Sequence, residues 1–347
     1  MSGKPSPSTS TSLRAPEVSY TFSQQAPLGS GFGLHTTASE VLSGIDLAGK
    51  RAMVTGGYSG IGIEMVRALV AAGIDEVLVP ARRPDQAHEA IGDLPRVVVG
   101  ELDLSDQASV AAYADQVLAV GGHLDLVINS AGIMATPEAH VGPGWELQLA
   151  TNHLGHYALI NLLWPLLRST GAGGGSRVVS VSSGGHQFGG IRWDDLGFEN
   201  GYDKWLAYGQ SKSANVLFAV ELDRRGAQHG VRAFSLHPGA ILTPLGRHLK
   251  AEDMEDLLSY GSDGKPLMPE FKSPEAGAAT AIWAATSPML AGLGGLYLED
   301  CDVAPVASAE ERVTGQALGV FPHATNPAEA ERLWAWSAEQ TGVDAFA

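Results

Sequence analysis

Arg51-Ala52-Met53-Val54-Thr55-Gly56-Gly57-Tyr58-Ser59-Gly60-Ile61-Gly62 decides the fold. An apolar run without polar alternation suits a strand covered on both faces. Glycines at 56, 60 and 62 let the chain turn tightly and let a pyrophosphate approach the backbone. The helix that starts near Ile61 offers free N–H groups and the positive end of its dipole. A glycine-rich turn between a strand and a helix opens a nucleotide-binding unit when further strand–helix units follow.

They do follow. Strand candidates recur at Glu76–Pro80, Arg96–Gly100, Leu124–Asn129, Arg177–Ser182, Val231–Leu236 and Gly295–Leu298. Amphipathic stretches between them start near Asp85, Asp106, Trp145, Lys204 and Ser273. Seven strands separated by helices predict an α/β fold, a doubly wound parallel sheet with right-handed crossovers and helices on both faces. Upstream, Thr37 and Glu40 read as a capping box on a short helix that Gly44 closes. Residues 1–30 are rich in Ser, Thr and Pro and read as a flexible extension. One domain is expected over 31–347.

Composition narrows the function. The chain has 347 residues, 44% hydrophobic and 17% charged, enough apolar material for a sizeable core. Its net charge of −16 argues against nucleic acid and against anionic membranes as partners. No apolar run is long enough for a membrane span. The single cysteine, Cys301, forms no intramolecular disulfide and is read as buried and inert. No secretory signal precedes the domain, and the expected compartment is the cytoplasm.

Further motifs follow the glycine turn in a fixed order. Asn129-Ser130-Ala131-Gly132 ends the fourth strand, and Asn152 lies in Thr151-Asn152-His153-Leu154-Gly155-His156-Tyr157. Ser182-Ser183 ends the fifth strand, Tyr208 and Lys212 stand four apart on one helix face, and Pro238-Gly239 follows the sixth strand. With this spacing and order, residues 50–300 resemble the short-chain dehydrogenase/reductase family in its single-domain branch, a Rossmann-type fold. Ser130 departs from the family's second asparagine. The insert Gly184–Ala207, with His237-Pro238-Gly239 and Asn215-Val216-Leu217-Phe218, is similar to the retinol-dehydrogenase-like group.

The resemblance implies roles. Tyr208 would be the general acid/base, Lys212 its pKa modulator and a ligand of the nicotinamide ribose, and Asn152 the holder of a relay water. Ser183 would hold the substrate carbonyl, with Ser182 as the alternative. A lysine ammonium near the phenol is expected to lower its pKa. Cofactor contacts are implied at Gly56, Tyr58, Ser59, Gly60, Ile61, Gly62, Asp103, Leu104, Asn129, Ala131, Gly132, Pro238, Gly239 and Thr243, besides Tyr208 and Lys212.

After the second strand, Arg82 and Arg83 stand where an acidic residue would accept an NAD ribose hydroxyl. Guanidinium suits a 2′-phosphate, so NADP(H) is expected over NAD(H). His153 and His156 are read as packing or hydrogen-bonded residues, and no metal is expected. Residues 244–272 read as a substrate lid. Phe188, Trp193, Trp205, Leu245, Leu249 and Met254 are candidate walls for a bulky, uncharged small-molecule substrate. Helices near Trp145–Ser169 and Lys204–Arg225 are apolar on more than one face, which predicts a homo-oligomer, a dimer or tetramer, or else a cover from the N-terminal extension folded back. The expected activity is the interconversion of a carbonyl and an alcohol. An NAD-dependent alcohol dehydrogenase of the same fold is one alternative, and a non-catalytic dinucleotide sensor is the alternative from another class.

Overall fold

The computed structural model describes residues 20–250, 253, 259–260, 266–267, 270–308 and 319–347. Its centre is one sheet of β1 (Arg51–Thr55), β2 (Glu76–Ala81), β3 (Val97–Glu101), β4 (Leu126–Asn129), β5 (Ser176–Val181), β6 (Val231–His237), β7 (Leu296–Glu299) and β8 (Asp302–Val303). The spatial order is β8-β7-β6-β5-β4-β1-β2-β3. All pairs are parallel except β7 with β8. Chain direction across the sheet reverses between β1 and β4, which opens a crevice at their carboxyl ends.

Strand alternation sorts the core. Ala52 and Val54 face one side, where α1 (Ala38–Val41), α2 (Ile61–Ala71), α3 (Pro84–Ile91) and α8 (Pro274–Thr286) pack Met65, Val66, Leu69 and Trp283. Met53 faces the other, against α4 (Gln107–Val120), α5 (Gly155–Leu162), α6 (Trp164–Gly174) and α7 (Lys204–Gly226). The seven expected strands are found, with ends shifted by at most two residues. The eighth was not expected. Asp300 and Cys301 turn β7 into β8 with φ of 49° and 61°, a left-handed pair built without glycine. Cys301 is buried and its thiol is pushed up to about 11 by burial. The capping box is present, with Thr37 Oγ1 accepting from Glu40 N and Thr37 N donating to Glu40 Oε2.

Two terminal segments depart from expectation. Residues 20–30, assigned by composition to a flexible extension, lie along the sheet edge; residues 1–19 fall outside the described residues. Gln25 acts as a short strand: its Nε2 donates to the Tyr297 and Ala304 carbonyls at 2.7 and 2.6 Å, and its Oε1 accepts from Tyr297 N at 3.0 Å. The Asp302 carboxylate accepts from Leu28 N and Gly29 N. The Tyr297 carbonyl also accepts from Ala304 N, so Gln25 adds a second bond there and supplies the partner of Tyr297 N.

At the other end, α9 (Pro327–Thr341) lies on α7, capped by Asn326. Trp334 stacks on Phe218 at 5.8 Å and meets Tyr157 edge-on at 4.9 Å, and Phe346 packs on Trp164. The second apolar face of α5 and α7, left by the sequence for another copy or for the N-terminal extension, is covered here by the chain's own C-terminal segment.

Candidate active site

The reversal point brings two turns together. Gly56 has φ 69°, and a Cβ on it would come within 2.9 Å of Ala131 Cα. A Cβ on Gly62 would stand 2.2 Å from the Gly56 carbonyl, so the first turn of α2 closes onto the loop only with glycine there. Thr55 Oγ1 accepts from Ser130 N and Ala131 N, both at 3.0 Å, and locks the second turn to the first. His156 Nε2 lies 2.8 Å from the same hydroxyl, and its Nδ1 lies 2.9 Å from the Asn152 carbonyl. His153 meets Ser337 Oγ of α9 at 2.8 Å. Both imidazoles are buried and hydrogen-bonded, as read from the sequence.

Asn152 sits in a widened turn, Ala150–Leu154, just before α5. It is fully buried. Its Oδ1 accepts from Ile133 N at 2.9 Å, and its Nδ2 donates to the Ile133 carbonyl and to Ser211 Oγ. A π-type turn moves a helical side chain out of register, here toward the loop after β4. Gly132 leaves the room: a Cβ there would lie 3.1 Å from Asn152 Oδ1 and 3.5 Å from Lys212 Nζ.

Helix α7 presents Tyr208 and Lys212 on one face, both buried. Lys212 Nζ donates to the Val181 carbonyl at 3.1 Å and lies 5.6 Å from the Tyr208 ring centroid. Burial pulls the lysine down to about 8. The expected lowering of the phenol by the ammonium is not what this geometry produces. Burial pushes Tyr208 up to about 12, and the Ser183 hydroxyl, which favours the phenolate, offsets only part of that.

The two serines part company at the end of β5. Ser182 Oγ is turned to the α7 backbone and donates to the Lys212 carbonyl at 2.8 Å. Ser183 Oγ accepts from Gly185 N at 3.0 Å and lies beside the Tyr208 phenol.

Toward the other end of the crevice, Arg82 and Arg83 are exposed at the start of α3. Arg247 joins them, from the short turn Pro244–His248 that follows Thr243. Burial and the two neighbouring guanidinium charges hold Arg247 below its ordinary value. No carboxylate pairs with any of the three among the described residues. Arg247 is remote from Arg82 and Arg83 in sequence, and only the path of the chain after Thr243 brings it here. Thr243 is close enough to Gly60 that a Cβ on the glycine would come within 3.3 Å of Thr243 Cβ.

Asp103 and Leu104 follow β3, with Asp103 Oδ1 accepting from Ser105 N and Oγ. Asn129 Oδ1 is buried with no partner among the described residues. A glycine cradle, an unsatisfied amide oxygen and a cationic cluster fit a phosphate-bearing dinucleotide.

The wall residues divide. Trp193 does not line a pocket. Its Nε1 donates to Glu329 Oε2 at 2.6 Å and Arg332 lies 4.0 Å over its ring, so it staples the insert to α9. Phe188 and Trp205 meet edge-on at 6.1 Å, both half-buried, near the Tyr208 helix face. Leu245 lies in the turn Pro244–His248 and Leu249 follows it, both half-buried; Met254 lies outside the described residues.

This fold and site define a class, the doubly wound proteins that bind dinucleotides at the reversal point. The sequence profile described as short chain dehydrogenase matches residues 50–254. A Streptomyces antibioticus protein named "Probable oxidoreductase" is 45% identical over 305 residues, covering 85% of this chain and 98% of its own. Human "Retinol dehydrogenase 14" is 35% identical, covering 85% and 87%. A crystal structure of a Mycobacterium paratuberculosis protein superposes with a TM-score of 0.64 at 32% identity, covering 87% of this chain and 96% of that one. The chain belongs to the short-chain dehydrogenase/reductase family and is an oxidoreductase of its retinol-dehydrogenase-like group. That fold implies a nicotinamide dinucleotide cofactor. Among the described residues, no helix is long and apolar enough to cross a membrane.

Proposed function

We propose that this protein is an NADP(H)-dependent oxidoreductase interconverting a carbonyl and an alcohol on a bulky, hydrophobic small molecule. The carrying observation is the convergence of Ser183, Tyr208, Lys212 and Asn152 on one buried site beside the glycine cradle. When bound, the cofactor would supply or accept the hydride. Ser183 Oγ would polarise the substrate oxygen. Tyr208 would pass the proton to or from that oxygen; a phenol held protonated by burial suits the reducing direction. Lys212 would carry the proton onward, through a water that Asn152 would hold.

The three-arginine cluster supports NADP(H) over NAD(H), because guanidinium groups without carboxylate partners suit a 2′-phosphate. We place the catalytic domain at 31–347, with a substrate insert at 184–207 and a lid at 244–272, and the protein in the cytoplasm. Phe188, Trp205, Leu245 and Leu249 support an apolar substrate. The cover that α9 provides supports a chain that needs no second copy on that face. A panel of aldehydes and ketones, followed by NADPH consumption, tests the reading. Turnover should rise along a matched ketone series with apolar size and drop when a carboxylate is added. A panel-wide absence of turnover with intact NADPH binding would favour the sensor reading instead.

A further inference from the structure

We propose that two histidines, His186 and His237, clamp the Ser183–Gly184 peptide from its two ends and so set where the Ser183 hydroxyl points. The inference rests on the site reading above. His186 lies in the short turn Gly184–Phe188, and its Nδ1 lies 2.7 Å from the Ser183 carbonyl. His237 is the last residue of β6, and its Nδ1 accepts from Gly184 N at 3.0 Å. The carbonyl and the N–H belong to one peptide unit. A peptide is planar, so holding both ends removes its freedom to rotate about the bonds that flank it.

Backbone partners dictate the proton on each ring. Phe321 N donates to His186 Nε2 at 3.2 Å. That nitrogen must carry the lone pair, and Nδ1 the proton. The Ser183 carbonyl, an obligate acceptor, then receives the Nδ1 proton. At His237 the assignment reverses: Nδ1 accepts from a backbone N–H, so the proton is on Nε2. Burial favours the neutral form of both rings and pulls each down to about 4.

The clamp has its own support. Tyr297 OH lies 3.4 Å from His186 Nδ1, and His323 Nε2 lies 3.0 Å from the His186 carbonyl. The segment Val320–Phe321, far along the chain, is thus joined to the serine. Ser183 itself is extended, with φ −166° and ψ 159°, and its Oγ accepts from Gly185 N. The two rings act through the Ser183–Gly184 backbone; they are positioning residues.

Long-range 1H–15N spectra of the full chain at pH 7 read the tautomers directly, whether or not a substrate is known. The expected result is Nδ1–H at His186 and Nε2–H at His237; the same tautomer at both would overturn the clamp. Kinetics supply the second arm. His237→Leu removes the acceptor and should lower kcat about tenfold, with the Kd for NADPH unchanged. His237→Asn, which keeps a carbonyl oxygen within reach of Gly184 N, should restore most of the loss. Equal kcat in the two variants, or a parallel loss of NADPH affinity, would show a merely structural role. Failure of the whole carbonyl panel with correct tautomers would count against the proposed function and leave the clamp standing.

Discussion

Acidification should destabilise this protein over a window that its buried imidazoles define. His153, His156 and His186 are buried, and His237 is partly exposed. Burial is the largest cause at each, pulling His153 down to about 3 and the other three to about 4. In the unfolded chain each titrates near 6.5. Between pH 6.5 and 4 the unfolded chain therefore binds protons that the folded chain refuses. Stability falls as the pH drops, by about 1.4 kcal/mol per pH unit for each responding group, and the loss ends once the folded form is protonated too. Glu299 acts in the opposite sense. Burial lifts its carboxyl to about 7, so on acidification from 7 to 4.5 the folded chain takes up a proton first and gains stability. That cancels the share of one imidazole; Glu146, also raised by burial, acts in the same direction as Glu299. Three imidazole shares remain, a net loss of up to about 4 kcal/mol per pH unit near pH 5.5. Total stability for a domain is about 5–15 kcal/mol, so two pH units consume much of it. Urea unfolding at pH 7.5, 6.5 and 5.5 measures the slope. His153→Leu removes one group, which otherwise meets Ser337 Oγ, and should flatten the slope by about 1.4 kcal/mol per pH unit. An unchanged slope in that variant, or a wild-type stability that rises through this window, would refute the reasoning.

Arg247→Ala should weaken NADPH binding while sparing NADH, as should Arg82→Ala with Arg83→Ala; fluorescence titration with both cofactors reads the difference, and equal losses would remove the 2′-phosphate assignment. Tyr208→Phe should lower turnover about a hundredfold or more with NADPH binding kept, measured on the best ketone of the panel. Ser183→Ala should lower kcat similarly, whereas Ser182→Ala, which loses a buried bond to the Lys212 carbonyl, should cost about 1 kcal/mol of stability in urea unfolding and leave more of the turnover. Light scattering of the full chain should report a monomer; deleting 326–347 uncovers Phe218, Tyr157 and Trp164, and should produce association or insoluble protein.

Local chemistry made much of this protein legible in its sequence. Strand–turn–helix periodicity revealed the parallel sheet, because burial on both faces leaves apolar runs that short-range pattern exposes. The glycine turn and the four-residue spacing of Tyr208 and Lys212 were equally readable, since each is imposed within one or two turns of backbone. The Thr37 cap belongs to the same kind. The antiparallel β8 was missed because its turn uses Asp300 and Cys301 where glycine is the usual signal. Helix α9 did carry signals, Asn326-Pro327 at its start and Gly342 at its end, but they say nothing about where it docks.

Whatever depends on contacts between distant segments was decided by the tertiary structure. Strand period alone leaves open which of Ser182 and Ser183 faces the phenol; the approach of α7 turns Ser182 into its backbone and leaves Ser183 beside Tyr208. Arg247 joins Arg82 and Arg83 only because the chain at Thr243 passes close to Gly60. Trp193 looks like a pocket wall in composition and is a staple in space, and Gln25 is an ordinary polar residue until β7 offers it the Tyr297 N–H. The phenol's pKa shows the physical reason most directly. Spacing places a cation near Tyr208, but burial sets the dielectric in which that cation acts, and burial belongs to the whole fold.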